Sequence, residues 1–252
     1  MKHFSSSRFV VGSVLVILLT AAAVVWATKG QSNSIGRLRI ENKTRSLAIE
    51  SMKDLGEVQA GAQNRFEVTV RNGYDKPIVT YRFRVVDSLT GKKTINAVER
   101  GGMMGDWDLP PNGADVIAFS AASEGAVVLT VAAVLFEDGT GDGNTSDLLR
   151  LQEIHAGVKT AFQKIAPILR QAANTDDSVV PDAAIQLLED EVASINDREV
   201  PVNQRRGFAQ AKDYVRLELS DLKNNLRSKP NLKHKAEFTK KLEKIEKALA
   251  KM

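Results

Sequence analysis

Cysteine is absent from this 252-residue chain. That excludes disulfides, thiolate metal sites, cysteine nucleophiles and a lipid-modified cysteine anchor, and it leaves the compartment open. Histidine is nearly as scarce, with only His3, His155 and His234. His3 lies in a short tail and His234 among lysines at a helix start. His155 falls in an apolar helical seam, where a packed and hydrogen-bonded ring is expected. No HExxH, G-x-S-x-G, phosphate-loop or dinucleotide pattern occurs. Asp106 and Asp108 form a close carboxylate pair, but on a strand they would share a face by spacing alone. The expectation is a protein that is not an enzyme and carries no cofactor. Neither sign of charge dominates, since the formal net charge is +4, so any polyanion partner must be argued from local clustering.

Long apolar runs are rare too, but one is present. Phe9–Ala27 is 19 residues without a charge, preceded by Lys2 and Arg8. A helix of that length spans about 28 Å, close to the hydrocarbon core of a bilayer. The run is long for a cleaved signal peptide, so residues 1–27 are read as an uncleaved signal anchor. Val25-Trp26-Ala27 offers the alternative, a cleavage site that would release the protein into the periplasm. Orientation has two opposing cues. Lys29, Arg37, Arg39, Lys43 and Arg45 follow the run and favour a cytoplasmic C-terminal part. The short basic tail leading straight into the run is the layout of export, and a single-pass protein with its bulk outside the cytoplasm is the expectation. Residues 28–45 read as a polar stalk.

From residue 46 the period becomes two. In Arg65–Asn72, Phe66, Val68 and Val70 alternate with Glu67, Thr69 and Arg71, as in a strand with one wet face. Asn72-Gly73 is a turn signal. Ile78–Ser88 follows as a longer strand, with Val79, Tyr81, Phe83 and Val85 expected on one face. Leu47–Met52, Thr94–Val98, Val116–Ser120 and Val127–Phe136 complete the set. Six or seven short strands within 46–137 predict an immunoglobulin- or fibronectin-like β-sandwich. Gly101–Pro111 sets Met103, Met104 and Trp107 among glycines; exposed, they would offer a partner protein an adaptable apolar surface.

The β-region ends on Glu137–Asn144, an acidic, glycine-rich segment that predicts a linker over 138–147. Asp138, Thr140 and Asp142 place oxygens at positions 1, 3 and 5 of a calcium-type loop, with Gly143 at 6. Leu149 stands at position 12, where a bidentate glutamate is needed, so calcium is a weak expectation. The plainer reading is a turn whose Thr145 or Ser146 caps the next helix, with Asp147 in its first turn. The strand-plus-loop LTVAAVLFEDGTGDG resembles the closing strand of sandwich domains in uncharacterised bacterial membrane-anchored proteins. The resemblance implies an architecture and names no activity.

Residues 148–252 read as about four helices. Leu148, Leu151, His155, Val158, Phe162, Ile165 and Leu169 recur at spacings of three and four, a seam of coiled-coil type. Pro167 predicts a kink or an end nearby. Ile185, Leu188, Val192 and Ile195 continue the pattern, as do Phe208–Leu226 and Phe238–Met252. An antiparallel bundle is expected, the rival being arms whose seams pair with a second copy. Residues 173–199 hold eight acids against Arg198, and residues 223–252 hold ten bases against three acids. The simplest account sets the two segments face to face or leaves each as a solvated helix face. The functional alternative is a polyanion site at Lys233, Lys235, Lys240, Lys241, Lys244 and Lys247, for lipid headgroups, a wall polymer or nucleic acid. Without interleaved aromatics, nothing favours nucleic acid over the rest. The sequence thus predicts an α+β chain of separate domains: signal anchor, sandwich and helical bundle. Its expected role is a membrane-anchored interaction or scaffold protein.

Overall fold

The computed structural model describes residues 32–59, 63–87, 96–101, 108–122, 125–174, 181–228 and 234–250. The apolar run at 9–27 and Met103, Met104 and Trp107 lie outside them. The chain is α+β. Its strands are β1 (Ser32–Ile35), β2 (Leu38–Asn42), β3 (Leu47–Gln59), β4 (Gln63–Asn72), β5 (Ile78–Asp87), β6 (Asn96–Gly101), β7 (Ala114–Ala122), β8 (Val127–Phe136) and β9 (Gly141–Gly143). Then come α1 (Thr145–Ala173), α2 (Pro181–Ser194), α3 (Arg205–Ser228) and α4 (His234–Ala250), with a 3-10 turn at Val202–Gln204 before α3. Among the described residues, no helix is long and apolar enough to cross a membrane.

One sheet runs β1-β2-β8-β5-β6, with β9 also on β8, and the other runs β3-β4-β7. Neighbours are antiparallel except β2 and β8, which run parallel. The sheets bury their facing sides in one core. Phe66, Val68, Val70 and Ile117 come from the three-stranded sheet, and Leu38, Ile40, Tyr81, Phe83 and Leu129 from the other. Strands β1 and β2 lie within the stretch read as a stalk. Only Leu38 and Ile40 alternate inward there, too few positions to stand out among charged neighbours.

The near-continuous apolar run of β8 has a physical cause. Val127, Leu129 and Val131 point into the sheet core, but the register against β5 shifts between Arg82 and Phe83. Beyond that bulge the alternation changes phase. Val134 and Phe136 then face the core, while Ala133 and Leu135 join Val79 and Leu151 in a second cluster under α1. This half of β8 is covered on both faces, so both faces must be apolar. A second register shift, between Ile78 and Thr80, corrects one expectation. Val79 faces the helix with Ala133, whereas Tyr81, Phe83 and Val85 share the sheet core.

Helix α1 is the centre of the second half and packs against α2, α3 and α4. Its buried stripe is wider than a coiled-coil seam, with Ile154, Ala161 and Ala166 as well as Leu151, Val158, Phe162, Ile165 and Leu169. The four helices close one core within the chain. Pro167 does not end α1, which continues to Ala173. It stands on the exposed side, where water reaches the Gln163 carbonyl that lacks its usual donor. Gly157 of α1 and Gly207 of α3 set the closest approach. A Cβ on Gly157 would lie 2.0 Å from the Gln204 carbonyl oxygen, and one on Gly207 would lie 1.9 Å from that of Ile154. The two backbones touch there with no room for a side chain.

Candidate functional site

The acidic segment between the halves carries the densest polar geometry. Gly139 N–H donates to the Phe136 carbonyl at 3.0 Å, closing a turn after β8. Strand β9 then folds back on β8, where Gly141 and Gly143 lie so close that a Cβ would meet the Val134 and Ala132 carbonyls. Asn144 caps α1, its side-chain oxygen accepting from Ser146 N–H at 3.1 Å and Asp147 N–H at 3.3 Å. The cap is thus one residue earlier than Thr145 or Ser146, and it satisfies donors that a helix start leaves without partners.

Asp138, Asp142 and Asp147 each have different protein partners. Asp138 receives Lys76 Nζ at 2.6 Å on one oxygen and the Thr140 N–H at 3.0 Å on the other. The Lys76 ammonium, then the Thr140 hydroxyl and N–H, hold its carboxyl down at about 2. Asp142 turns to the β2–β3 connection. There it accepts from the Ser46 N–H at 2.9 Å, the Ser46 hydroxyl at 3.1 Å and the Arg45 N–H. Asp147, with a side chain 4% exposed, meets Arg82 Nε at 3.1 Å and the Arg84 guanidinium. Both arginines stand on the outer side of β5, so this carboxylate ties the first turn of α1 to the sheet.

Of the three oxygen donors proposed for calcium, Asp138 and Thr140 bond to each other, and Asp142 bonds to the Arg45–Ser46 turn. Among the described residues, no three His, Asp or Glu side chains are grouped as a metal ion requires.

The basic helix is partly neutralised by its own chain. Lys241 bonds to Glu218 of α3, Lys244 lies 3.6 Å from the same carboxylate, and Lys240 reaches Glu237 at 2.5 Å. Lys244 also sits 5.1 Å above the Tyr214 ring. Burial raises the Glu218 pKa, but the Lys241 hydrogen bond, with Lys244 and Tyr214 behind it, reverses this and holds the group below the usual glutamate range. Lys235 and Lys247 are exposed, and Lys233 lies outside the described residues. Among the described residues, the acidic segment 173–199 meets the front of the basic one. Asp182 pairs with Arg227 at 2.8 Å and Glu189 with Lys223 at 3.9 Å, both on α3, while α4 packs on α1 and α3.

His155 is buried as expected, yet its Nδ1 has no hydrogen-bond partner among the described residues. Burial, and next the nearby Lys159, push its pKa below the usual value. An open groove lies where α2 ends beside α3, lined by Asn196, Asp197, Lys212, Asp213 and Arg216. Lys212 donates there to the Ala193 and Ile195 carbonyls at 3.0 and 2.5 Å, closing the C-terminal end of α2. The sequence reading missed Lys212, Arg82 and Arg84. An alternating Arg-x-Arg on the wet face of a strand was the signal for the last two.

No protein-family model and no curated protein matches the chain. Among solved structures, the "X-ray structure of Northeast Structural Genomics Consortium target SoR45" aligns with 39% of this chain and 80% of that chain. The identity is 16% and the TM-score 0.27, a likeness that carries no argument about fold or activity.

Proposed function

We propose that this chain is a membrane-anchored extracytoplasmic interaction or scaffold protein. It presents surfaces to partners instead of turning over a substrate. We read the two facing sheets as an immunoglobulin-like sandwich, held out from the bilayer by the apolar run at 9–27. One observation carries the reading. Asp138, Asp142 and Asp147 bind Lys76, the Arg45–Ser46 backbone and the Arg82–Arg84 pair respectively. In each case the carboxylate fixes one part of the fold to another. Asp147 alone ties the first turn of α1 to the sheet, while Asp138 and Asp142 brace the end of the β half, an arrangement that suits a spacer or scaffold.

The polyanion reading of α4 draws less support, because Lys240, Lys241 and Lys244 already have carboxylate partners. The test is membrane fractionation together with protease accessibility of a C-terminal tag in cells whose outer barrier is permeabilised. The reading expects a tag that is cut and a protein that stays with the membranes. A protected tag would place the domains in the cytoplasm and overturn it.

A further inference from the structure

Among the described residues, the open edges are those of β1, β9, β6, β3 and β7; all but the last carry devices that discourage pairing, β9 by being three residues long. Strands β1 and β6 are short, four and six residues long. Strand β3 is long, but it holds Lys53, Asp54 and Glu57, and its register breaks three times. It also holds Gly56 at φ +75°.

Strand β7 is different. It pairs with β4 over nine consecutive positions without a register shift, and no described strand pairs with its other side. Its sequence, ADVIAFSAA, has no lysine, arginine or proline. The one charge, Asp115, has both oxygens engaged at 2.8 Å, by the Tyr81 hydroxyl and the Val116 N–H.

The direction of the free groups follows from the ladder. Asn72 of β4 turns its N–H to the Gly113 carbonyl and takes the Asn112 N–H, both at 2.9 Å. By the alternation of an antiparallel pair, Val70, Val68 and Phe66 also bond toward β7. Their partners are Asp115, Ile117 and Phe119. The backbone groups of Ala118 and Ser120 therefore face the open edge. Ala114, Val116, Ala118 and Ser120 expose their side chains on the outer face, and all four are small and uncharged.

We propose that this edge takes a second copy of the same chain. Two β7 strands would pair antiparallel about Ala118 and join two three-stranded sheets into one of six. The identity of the occupant rests on self-complementarity. Centred on Ala118, the two-fold sets 114 opposite 122, 115 opposite 121, 116 opposite 120 and 117 opposite 119. No charge meets a like charge, and all nine positions face a counterpart, with the Val116 N–H kept by the Asp115 carboxylate. Centring on any other residue keeps the faces but shortens the ladder, and only a centre midway between two residues puts inward residues opposite outward ones.

The absence of cysteine makes the test direct. In the full chain, in native membranes and in mild detergent, Ala118→Cys is treated with a short thiol-to-thiol cross-linker. Lys53→Cys on the β3 edge serves as control. The pairing places residue 118 about 5.5 Å from its own counterpart, Cα to Cα. The expected result is efficient dimer from the first variant and at least ten-fold less from the second. Separately, Ala118→Lys sets two ammonium groups face to face at the two-fold axis. It should convert the sedimenting dimer to monomer, with a folded far-UV spectrum and a melting temperature that no longer depends on protein concentration. Equal cross-linking from both edges, or a dimer that survives Ala118→Lys, would overturn the proposal. So would a thiol at 118 that cross-links only to a different protein, which would assign the edge to a foreign strand.

Discussion

The two halves of the molecule reach a closed core by different means. In the β half, side chains meet side chains: Phe66 stacks on Phe119 with centroids 5.5 Å apart, and β-branched residues fill the space between the sheets. In the helical half, the tightest contact has no side chain at all. At Gly157 and Gly207 each helix lays its backbone on the other's. Their treatment of charge also differs. The β half and its joint bury a carboxylate between two arginines at Asp147, whereas the helices pair charges at their rims, as at Asp182–Arg227 and Glu218–Lys241. Interdigitated side chains can relax when one is changed. Two touching backbones cannot.

The contrast is sharpest at the glycines. In an isolated helix, Gly207→Ala would add about 1 kcal/mol of stability. Here the new methyl must push α1 and α3 apart, and we expect a net loss of about 3 kcal/mol, with Gly157→Ala similar. Denaturant midpoints at constant m-value measure this, and a stabilised variant would show that the helices do not touch.

Next in size is Asp147→Asn, which leaves Arg82 and Arg84 facing each other without the carboxylate between them. The expected loss is about 2 kcal/mol, below the usual cost of breaking a buried pair because Arg84 is partly exposed. The same substitution at a rim pair, Asp182→Asn, should cost a few tenths of a kcal/mol. Equal losses would erase the distinction between the joint and the rim.

A smaller effect belongs to His155. Its folded pKa lies below the ordinary 6.5, so near that pH the unfolded chain binds more protons than the folded one. Stability therefore falls as pH drops through 6.5 and stops falling only below the depressed folded value. His155→Leu should flatten the pH dependence of the melting temperature in this window. The least effect is local. Lys76→Ala should let the Asp138 carboxyl rise from about 2 toward its ordinary 3.8, read by NMR titration, with little change in stability because the pair is exposed.

Much of the β half is legible in the sequence because its period is strict. The strands at 65–72 and 127–136 stand where the alternation and the apolar run put them, within two residues. The phase changes at Val79 and Ala132 were not legible, since a bulge leaves the composition unchanged. Strand β9 was hidden as well, because three residues of Gly-Asp-Gly look like a turn until a neighbour's carbonyls are in place. In the helical half the apolar spacing gave the helices. Gly157 and Gly207 gave no signal, because a single helical glycine looks like a weak position and not a contact. Of the candidate site, the acids were visible by type. Their partners lie 62, 96 and 63 positions away, a distance no local pattern spans.

All of these differences meet in α1, whose first turns belong to the joint and whose remainder centres the helical core. We expect this to make the two halves one cooperative unit. Native-state hydrogen exchange read by mass spectrometry tests it, following β4 and α3 peptides across a denaturant series in the full chain. We predict one shared opening free energy for both, splitting into two when Asp147→Asn is combined with Leu151→Ala. Separate opening of β4 and α3 in the unaltered chain would contradict it.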